Sequence, residues 1–338
     1  MKRTVIMPTL ALVVGIAAGI IIGNQVATAQ QQPAPAKSVE AQSEPLPLAD
    51  LHFHPGPRFW PNLSPQDILL IMDRAGVRWA GNGPAGPDNV WMPFLQAAPD
   101  RFIPLAARGP IRRLILEQGE DAWALRSPEI IRVLEQLEDN LRAGRFRGIG
   151  ELHVNNLGSP NPIFTLKYPA DSPLMRRLLD LAATYQAPIS IHMDAEPGSV
   201  EELERLLANN RKGLIIWAHC GWSWGDAGLI RKLIAQHPNL FCELSHRDDR
   251  PRSNPEERKK LMITDDGRQL KPDWKALLEE HSDRFLIGTD SAKPGEYQGI
   301  IDFHRAVLAQ LKPEAARRIA HENAQRLFRL GEPIPATK

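Results

Sequence analysis

"PLADLHFHPG" (Pro47–Gly56) sets Asp50, His52 and His54 at every second position, directly after a proline-rich stretch. In an extended strand, residues i, i+2 and i+4 share one face. These three side chains therefore point together, which is either a costly burial of polar groups or half of a metal site. Half a site at the end of a first strand needs other strand ends beside it, so this stretch decides the fold.

Such ends are present downstream. Strand candidates are Ala49–His54, Arg78–Asn82, Phe102–Ala107, Gly148–His153, Pro188–Met193, Leu214–His219, Leu240–Ser245 and Phe285–Thr289. Apolar residues at three- and four-residue spacing predict helices over Ser64–Ala75, Pro128–Ala143, Pro173–Gln186, Ser199–Asn210, Asp226–His237, Pro272–Glu280, Tyr297–Leu311 and Pro313–Leu330. Strands alternating with helices imply a parallel sheet. Eight strands close a (β/α)8 TIM barrel, here a single α/β domain over 48–338. A doubly wound open sheet needs a glycine-rich phosphate turn after its first strand, and "HFHPGPRFWP" is not one. The charged, irregular segment Asp248–Lys271 follows strand seven, where it is either a lid or a solvated loop.

The 338 residues are 43% hydrophobic, enough for a full core. With 41 basic and 40 acidic residues and no basic stripe, nucleic acid is excluded as a partner. A small-molecule substrate is expected, and a homo-oligomer is compatible with the composition. Lys2 and Arg3 precede an apolar run from Val5 to Gly23, and Ala27-Thr28-Ala29 offers a cleavage site. Residues 1–29 thus have the layout of a secretory signal peptide. The run also approaches bilayer-spanning length, so an uncleaved anchor is the alternative, and membrane association follows only from it. Residues 30–47, rich in Pro, Ala and Gln, form a tether. The body is expected to be exported, in the periplasm or attached to the envelope. N-terminal sequencing of envelope material should find the mature chain starting near Gln30. Intact Met1 on membrane-bound protein would indicate the anchor, and cytoplasmic protein would refute export. Cys220 and Cys242 are expected to be free thiols rather than a disulfide scaffold.

The remaining polar residues fall where barrel enzymes build their sites, at C-terminal strand ends. Strand four, "GIGELH", ends in Glu151 and His153. Strand five carries His192, strand six ends in His219, and strand eight ends in Asp290. Singly, each is an ordinary core or cap residue. Together, their burial without partners would cost about 1–3 kcal/mol per group. A divalent cation removes that cost by using the lone pairs. Imidazole and carboxylate donors suit Zn²⁺ first, then Mn²⁺ or Fe²⁺.

"DLHFH", "GIGELH", "IHMD", "WAHCG" and "GTDS", in this order, resemble the amidohydrolase superfamily. The nearer likeness is to its amidohydrolase-2 branch, which includes lactone hydrolases and aminocarboxymuconate-semialdehyde-type decarboxylases. The ending "HENAQRLFRL" is similar to that branch's closing helix. The resemblance implies that His52, His54 and His192 bind the more buried metal. It implies that Asp290 touches the metal and acts as general base. His219 either polarises the substrate in one-metal members or binds the second ion in two-metal members. Glu151 matches the glutamate that bridges two ions in some members, so one or two ions remain open.

The physical chemistry agrees: a bound cation lowers the pKa of water, and Asp290 beside it can move the proton. Asp50 is expected to orient an imidazole. Arg108 and Arg247 are candidates to grip a substrate carboxylate. Trp222 and Trp224 are candidates to stack on a ring, and Lys167 or Tyr168 to cover the site. Ser245 and His246 lie near the mouth, with their facing undecided. The expected activity is metal-dependent hydrolysis of a lactone, ester or amide. The alternatives are non-oxidative decarboxylation and, behind both, a non-catalytic envelope binding protein.

Overall fold

The computed structural model describes residues 46–331, apart from 57–58, 85, 158–165, 252–254 and 266–267. The expected signal segment and most of the tether lie outside the described residues. Among the described residues, no helix is long and apolar enough to cross a membrane.

The strands are β1 (Leu48–Asp50), β2 (Val77–Asn82), β3 (Phe102–Ala107), β4 (Gly148–His153), β5 (Ile189–His192), β6 (Ile215–Trp217), β7 (Leu240–Glu243) and β8 (Phe285–Leu286). They pair in sequence order, every pair parallel. A bridge between Asp50 and Ile287 joins the last strand to the first, making a (β/α)8 barrel. Strand alternation divides the core in two. Ile103, Leu105, Ile216, Phe241 and Leu286 face inward and meet Leu327 and Phe328 of the last helix, while Phe102, Ala106, Ile189 and Leu240 face the helical layer.

The helices start where capping chemistry places them. Ser64 caps Pro65–Ala75 in a reciprocal capping box with Asp67, Ser127 caps Pro128–Arg142, and Asp226 caps Ala227–Gln236. The closing helix differs from the continuous one expected over Pro313–Leu330. It is Pro313–Arg317, a π-turn over Arg318–Glu322, then Asn323–Phe328. Among the described residues four helices, Arg108–Gln118, Pro255–Leu261 and the short Met92–Ala97 and Glu120–Trp123, occupy stretches in which the apolar spacing predicted none. Arg108–Gln118 buries only Ile111, Leu114 and Ile115 and leaves Leu116 exposed, so its periodicity is faint.

Five strands, β1, β5, β6, β7 and β8, are shorter than predicted at their C-terminal ends, whereas β2, β3 and β4 end where expected. β1 stops at Asp50 and β6 at Trp217, so His52, His54 and His219 sit beyond the sheet. After β6, His219, Cys220, Gly221 and Trp222 all adopt positive φ, at 58°, 46°, 80° and 54°. Such a run is strained for side-chain-bearing residues. The fully buried Arg247 holds it: Nε donates to His219 O at 2.8 Å, and Nη2 donates to Cys220 O at 2.7 Å and Trp222 O at 2.8 Å. Its guanidinium also lies 5.3 Å over the Trp274 ring. Arg247 is therefore an internal strut and not a substrate grip. Cys220 and Cys242 are buried free thiols, as expected.

Candidate metal centre and active site

The barrel brings His52, His54, Glu151, His192, His219 and Asp290 to one point at the C-terminal ends of the strands. Two of the donor groups they form share Glu151, and a third, His52, His219 and Asp290, overlaps both. In the first, His52 Nε2 and His54 Nε2 lie 3.1 Å apart, and Glu151 Oε2 lies 3.4 and 3.2 Å from them. Asp290 Oδ1 completes this group at 3.7 Å from His52 and 3.6 Å from His54. In the second, Glu151 Oε1 lies 3.1 Å from His192 Nδ1 and 3.6 Å from His219 Nε2, with these two nitrogens 3.1 Å apart. Asp290 Oδ2 lies 4.0 Å from His219 Nε2. His192 thus falls with Glu151 and His219, and not with the strand-one pair as the resemblance implied.

The spacings suit small divalent cations. Tetrahedral bonds of about 2.0–2.2 Å separate donors by about 3.3–3.6 Å. The tautomers agree as well. His52 Nδ1 donates to Glu243 Oε2 at 2.6 Å, and His54 Nδ1 donates to Gly83 O at 2.6 Å. Each ring, when neutral, turns a lone pair inward at Nε2, so the 3.1 Å contact between these nitrogens is satisfied by a proton on His52 or by a cation that replaces it. His219 Nδ1 meets Ser245 Oγ at 2.7 Å, which likewise frees its Nε2. For His192 no partner fixes the outer nitrogen among the described residues; its ring stacks on His153 at 4.8 Å.

The electrostatics also require positive charge. Burial disfavours a proton on His52, but Asp290, Glu151 and Glu243 overcome it and hold the imidazole well above its usual range. Burial likewise raises Glu151 and Asp290, yet the surrounding imidazoles outweigh it and keep both well below the usual carboxylate range. Burial pushes His219 down to about 3, so it stays neutral. At neutral pH the metal-free protein therefore carries a proton on His52 that an incoming ion must expel. Glu151 and Asp290 are already ionised and contribute no slope. Apparent metal affinity should rise with pH, by about tenfold per unit for one proton, until pH passes the raised His52 value. Calorimetric titrations in buffers of different ionisation enthalpy measure the proton released; none released below that value would contradict the assignment.

The segment after β7 supports the whole cluster, and the sequence left it almost unread. Glu243, 1% exposed, was missed. "CELS" places Glu243 and Ser245 two apart, the same rhythm as Asp50, His52 and His54, and that was the available signal. His246 faces inward too, with Nε2 2.9 Å from Asp290 Oδ2. Arg250 pairs with Asp248 at 2.6 Å and donates to Thr289 O at 2.6 Å and Asp290 O at 3.3 Å, pinning the end of strand eight. The start of Asp248–Lys271 is thus a buried brace and not a solvated loop.

Other candidates sort by contact. Arg108 stands at the rim, its Nε 3.9 Å from Glu151 Oε2 and its Nη1 donating to Pro84 O at 3.2 Å. Trp222 walls the site, its ring 5.0 Å from His219 and 4.9 Å from His246, whereas Trp224 is 46% exposed. Asp50 orients no imidazole. It accepts from the backbone of His52 at 3.1 Å and from Thr289 N and Oγ1 at 2.8 and 2.7 Å, so it closes the barrel. Lys167 pairs with Glu196 at 3.6 Å, and buried Tyr168 donates to Met175 Sδ at 3.7 Å, so neither covers the site.

A barrel with imidazoles and carboxylates converging on its C-terminal face defines a class, the metal-dependent barrel enzymes. The amidohydrolase-2 family profile, described as amidohydrolase, matches residues 49–330. The chain belongs to this family and is a metal-dependent enzyme of the amidohydrolase superfamily. No curated protein matches it. Among solved structures it is similar to the TatD homologue YjjV of Escherichia coli K12, at 16% identity over 83% of this chain and 98% of that one, with a TM-score of 0.53. It is also similar to a 2,6-dihydroxybenzoate decarboxylase from Rhizobium, at 17% identity over 85% and 100% with a TM-score of 0.45. A probable 2-pyrone-4,6-dicarboxylic acid hydrolase from Acinetobacter baumannii with citric acid bound gives 13% over 83% and 98%, with a TM-score of 0.47. At these identities the likeness concerns the fold.

Proposed function

We propose that this protein is an exported hydrolase that holds two divalent ions, zinc foremost, and opens a lactone, ester or amide bond in a small organic substrate. One observation carries it: the two oxygens of Glu151 serve different donor groups, one toward His52 and His54, the other toward His192 and His219. Ions held there would polarise a carbonyl and lower the pKa of water toward neutrality. Asp290 takes the proton of the attacking water at its carboxylate and returns it to the leaving group. His246, on Asp290 Oδ2, keeps that carboxylate turned to the mouth. Trp222 walls off bulk water beside His192 and His219. Zinc comes first because the donors are imidazole and carboxylate at tetrahedral spacing. Export is supported by the basic, apolar and small-residue order of 1–29.

Non-oxidative decarboxylation is the second reading, favoured by Arg108 beside Glu151, where a guanidinium can grip a carboxylate. A panel of lactones, esters, amides and aromatic carboxylates, assayed for acid release and for carbon dioxide, separates the two. Hydrolysis with zinc at two equivalents supports the proposal; carbon dioxide release without hydrolysis replaces it.

A further inference from the structure

We propose that Glu243 is a positioning residue that sets the ring tautomers of both His52 and His219, and so ties together the two donor groups. The inference rests on the two-ion reading above and extends it to a residue outside both groups. Glu243 Oε2 accepts from His52 Nδ1 at 2.6 Å and from Ser245 Oγ at 2.7 Å. Glu243 Oε1 accepts from the Ser245 backbone. Ser245 Oγ in turn lies 2.7 Å from His219 Nδ1. A serine hydroxyl has one proton. Glu243 claims it, because a hydrogen bond to a carboxylate is roughly twice as strong as a neutral one. Oγ is left as an acceptor, so His219 must carry its proton on Nδ1 and turn a lone pair inward at Nε2.

The competing arrangement is close at hand. His219 Nε2 lies 3.1 Å from His192 Nδ1 and 3.6 Å from Glu151 Oε1. If Ser245 donated to His219 instead, the ring proton would move to Nε2 and occupy the position an ion needs. The pocket around Glu243 is built for the carboxylate. A Cβ on Gly288 would fall 2.1 Å from Glu243 Oε1 and 2.5 Å from His52 Cβ, so the segment just after β8 accommodates only glycine there. Glu243, Ser245, His52 and His219 are each at most 1% exposed, so water does not compete for these bonds.

The test uses metal-stripped full-length protein with ¹⁵N-labelled imidazoles, whose shifts report the tautomer before any ion is added. Zn²⁺ titration follows. Wild type should show His219 protonated on Nδ1. In Glu243→Gln the amide donates to Ser245, freeing its hydroxyl proton for His219, and the Nε2–H tautomer should appear. Ser245→Ala removes the acceptor and should do the same, while Ser245→Thr should restore the wild-type signal. Zn²⁺ affinity of the second group should fall about 10–100-fold in both disruptive variants. The first group should weaken more in Glu243→Gln than in Ser245→Ala, because His52 Nδ1 lies 2.6 Å from Glu243 Oε2 and 3.1 Å from Ser245 Oγ. If Glu243→Gln does not fold, Ser245→Ala decides alone. An unchanged His219 tautomer in Ser245→Ala, or unchanged affinity of the second group, overturns the proposal. Wild type that takes up a single ion overturns the two-ion reading instead, and the tautomer signal still decides the role of Glu243.

Discussion

Asp290→Asn is expected to lower kcat by roughly 10²–10⁴-fold while leaving the metal content close to native. Asparagine keeps the shape of the side chain and an oxygen that can meet an ion, but it cannot take a proton. The structure sharpens the expectation, because the two carboxylate oxygens do different work. Oδ1 looks toward His52 and His54, and Oδ2 is held by His246 at 2.9 Å. The variant has an amide in place of one oxygen, so either the contact to His246 or the approach to His52 and His54, where an ion would be held, must change. The pH–rate profile of the native enzyme should have an acidic limb shared between Asp290 and the activated water, which titrate as a coupled pair. Elemental analysis and kcat on the same preparation check the outcome. Near-native turnover with full metal would move the base elsewhere, with His219 and His246 next in line.

The double replacement His52→Ala/His54→Ala should have an effect as large, by a different route. It removes both imidazoles of the first group and leaves Glu151, Asp290 and Glu243 facing one another. The variant should lose the ion of the first group, and turnover should fall to the level of buffer. Because an ion that binds only the folded state stabilises it by mass action, added zinc should raise the melting temperature of wild type and raise that of the variant far less. Full metal content in the variant would remove the site as described.

Much of this arrangement was legible in the sequence, and particular residues show why. Donors in or just beyond the C-terminal ends of strands, such as Glu151, His192 and Asp290, announce themselves because an apolar run gives way to a polar side chain. The barrel follows from the need to bring such ends together. Pairwise geometry was not legible. His192 joins His219 through the left-handed turn that Arg247 holds, and nothing in "WAHCG" encodes the direction of that turn. Arg247 reads as a candidate substrate grip because a buried cation satisfied by backbone carbonyls has no sequence signature. Glu243 was hidden by its position inside "LFCEL", where it looked like one polar residue in a strand. Helix Arg108–Gln118 was hidden by its polar face.

The closure of the barrel by Asp50 and Thr289 bears on how the chain acquires its ion. These partners stand 239 positions apart, so the contact carries close to the full loop-closure cost of the domain. Topologies dominated by such distant contacts fold slowly. At translation rates of about 5–20 residues per second, His52 and His54 leave the ribosome roughly 10–50 s before Asp290. In that interval the nascent chain offers two imidazoles without their carboxylates, a weak and unselective chelator. Selectivity arrives only when the last strand seats against the first. An ion held at this site would therefore be chosen where folding finishes, not where synthesis begins.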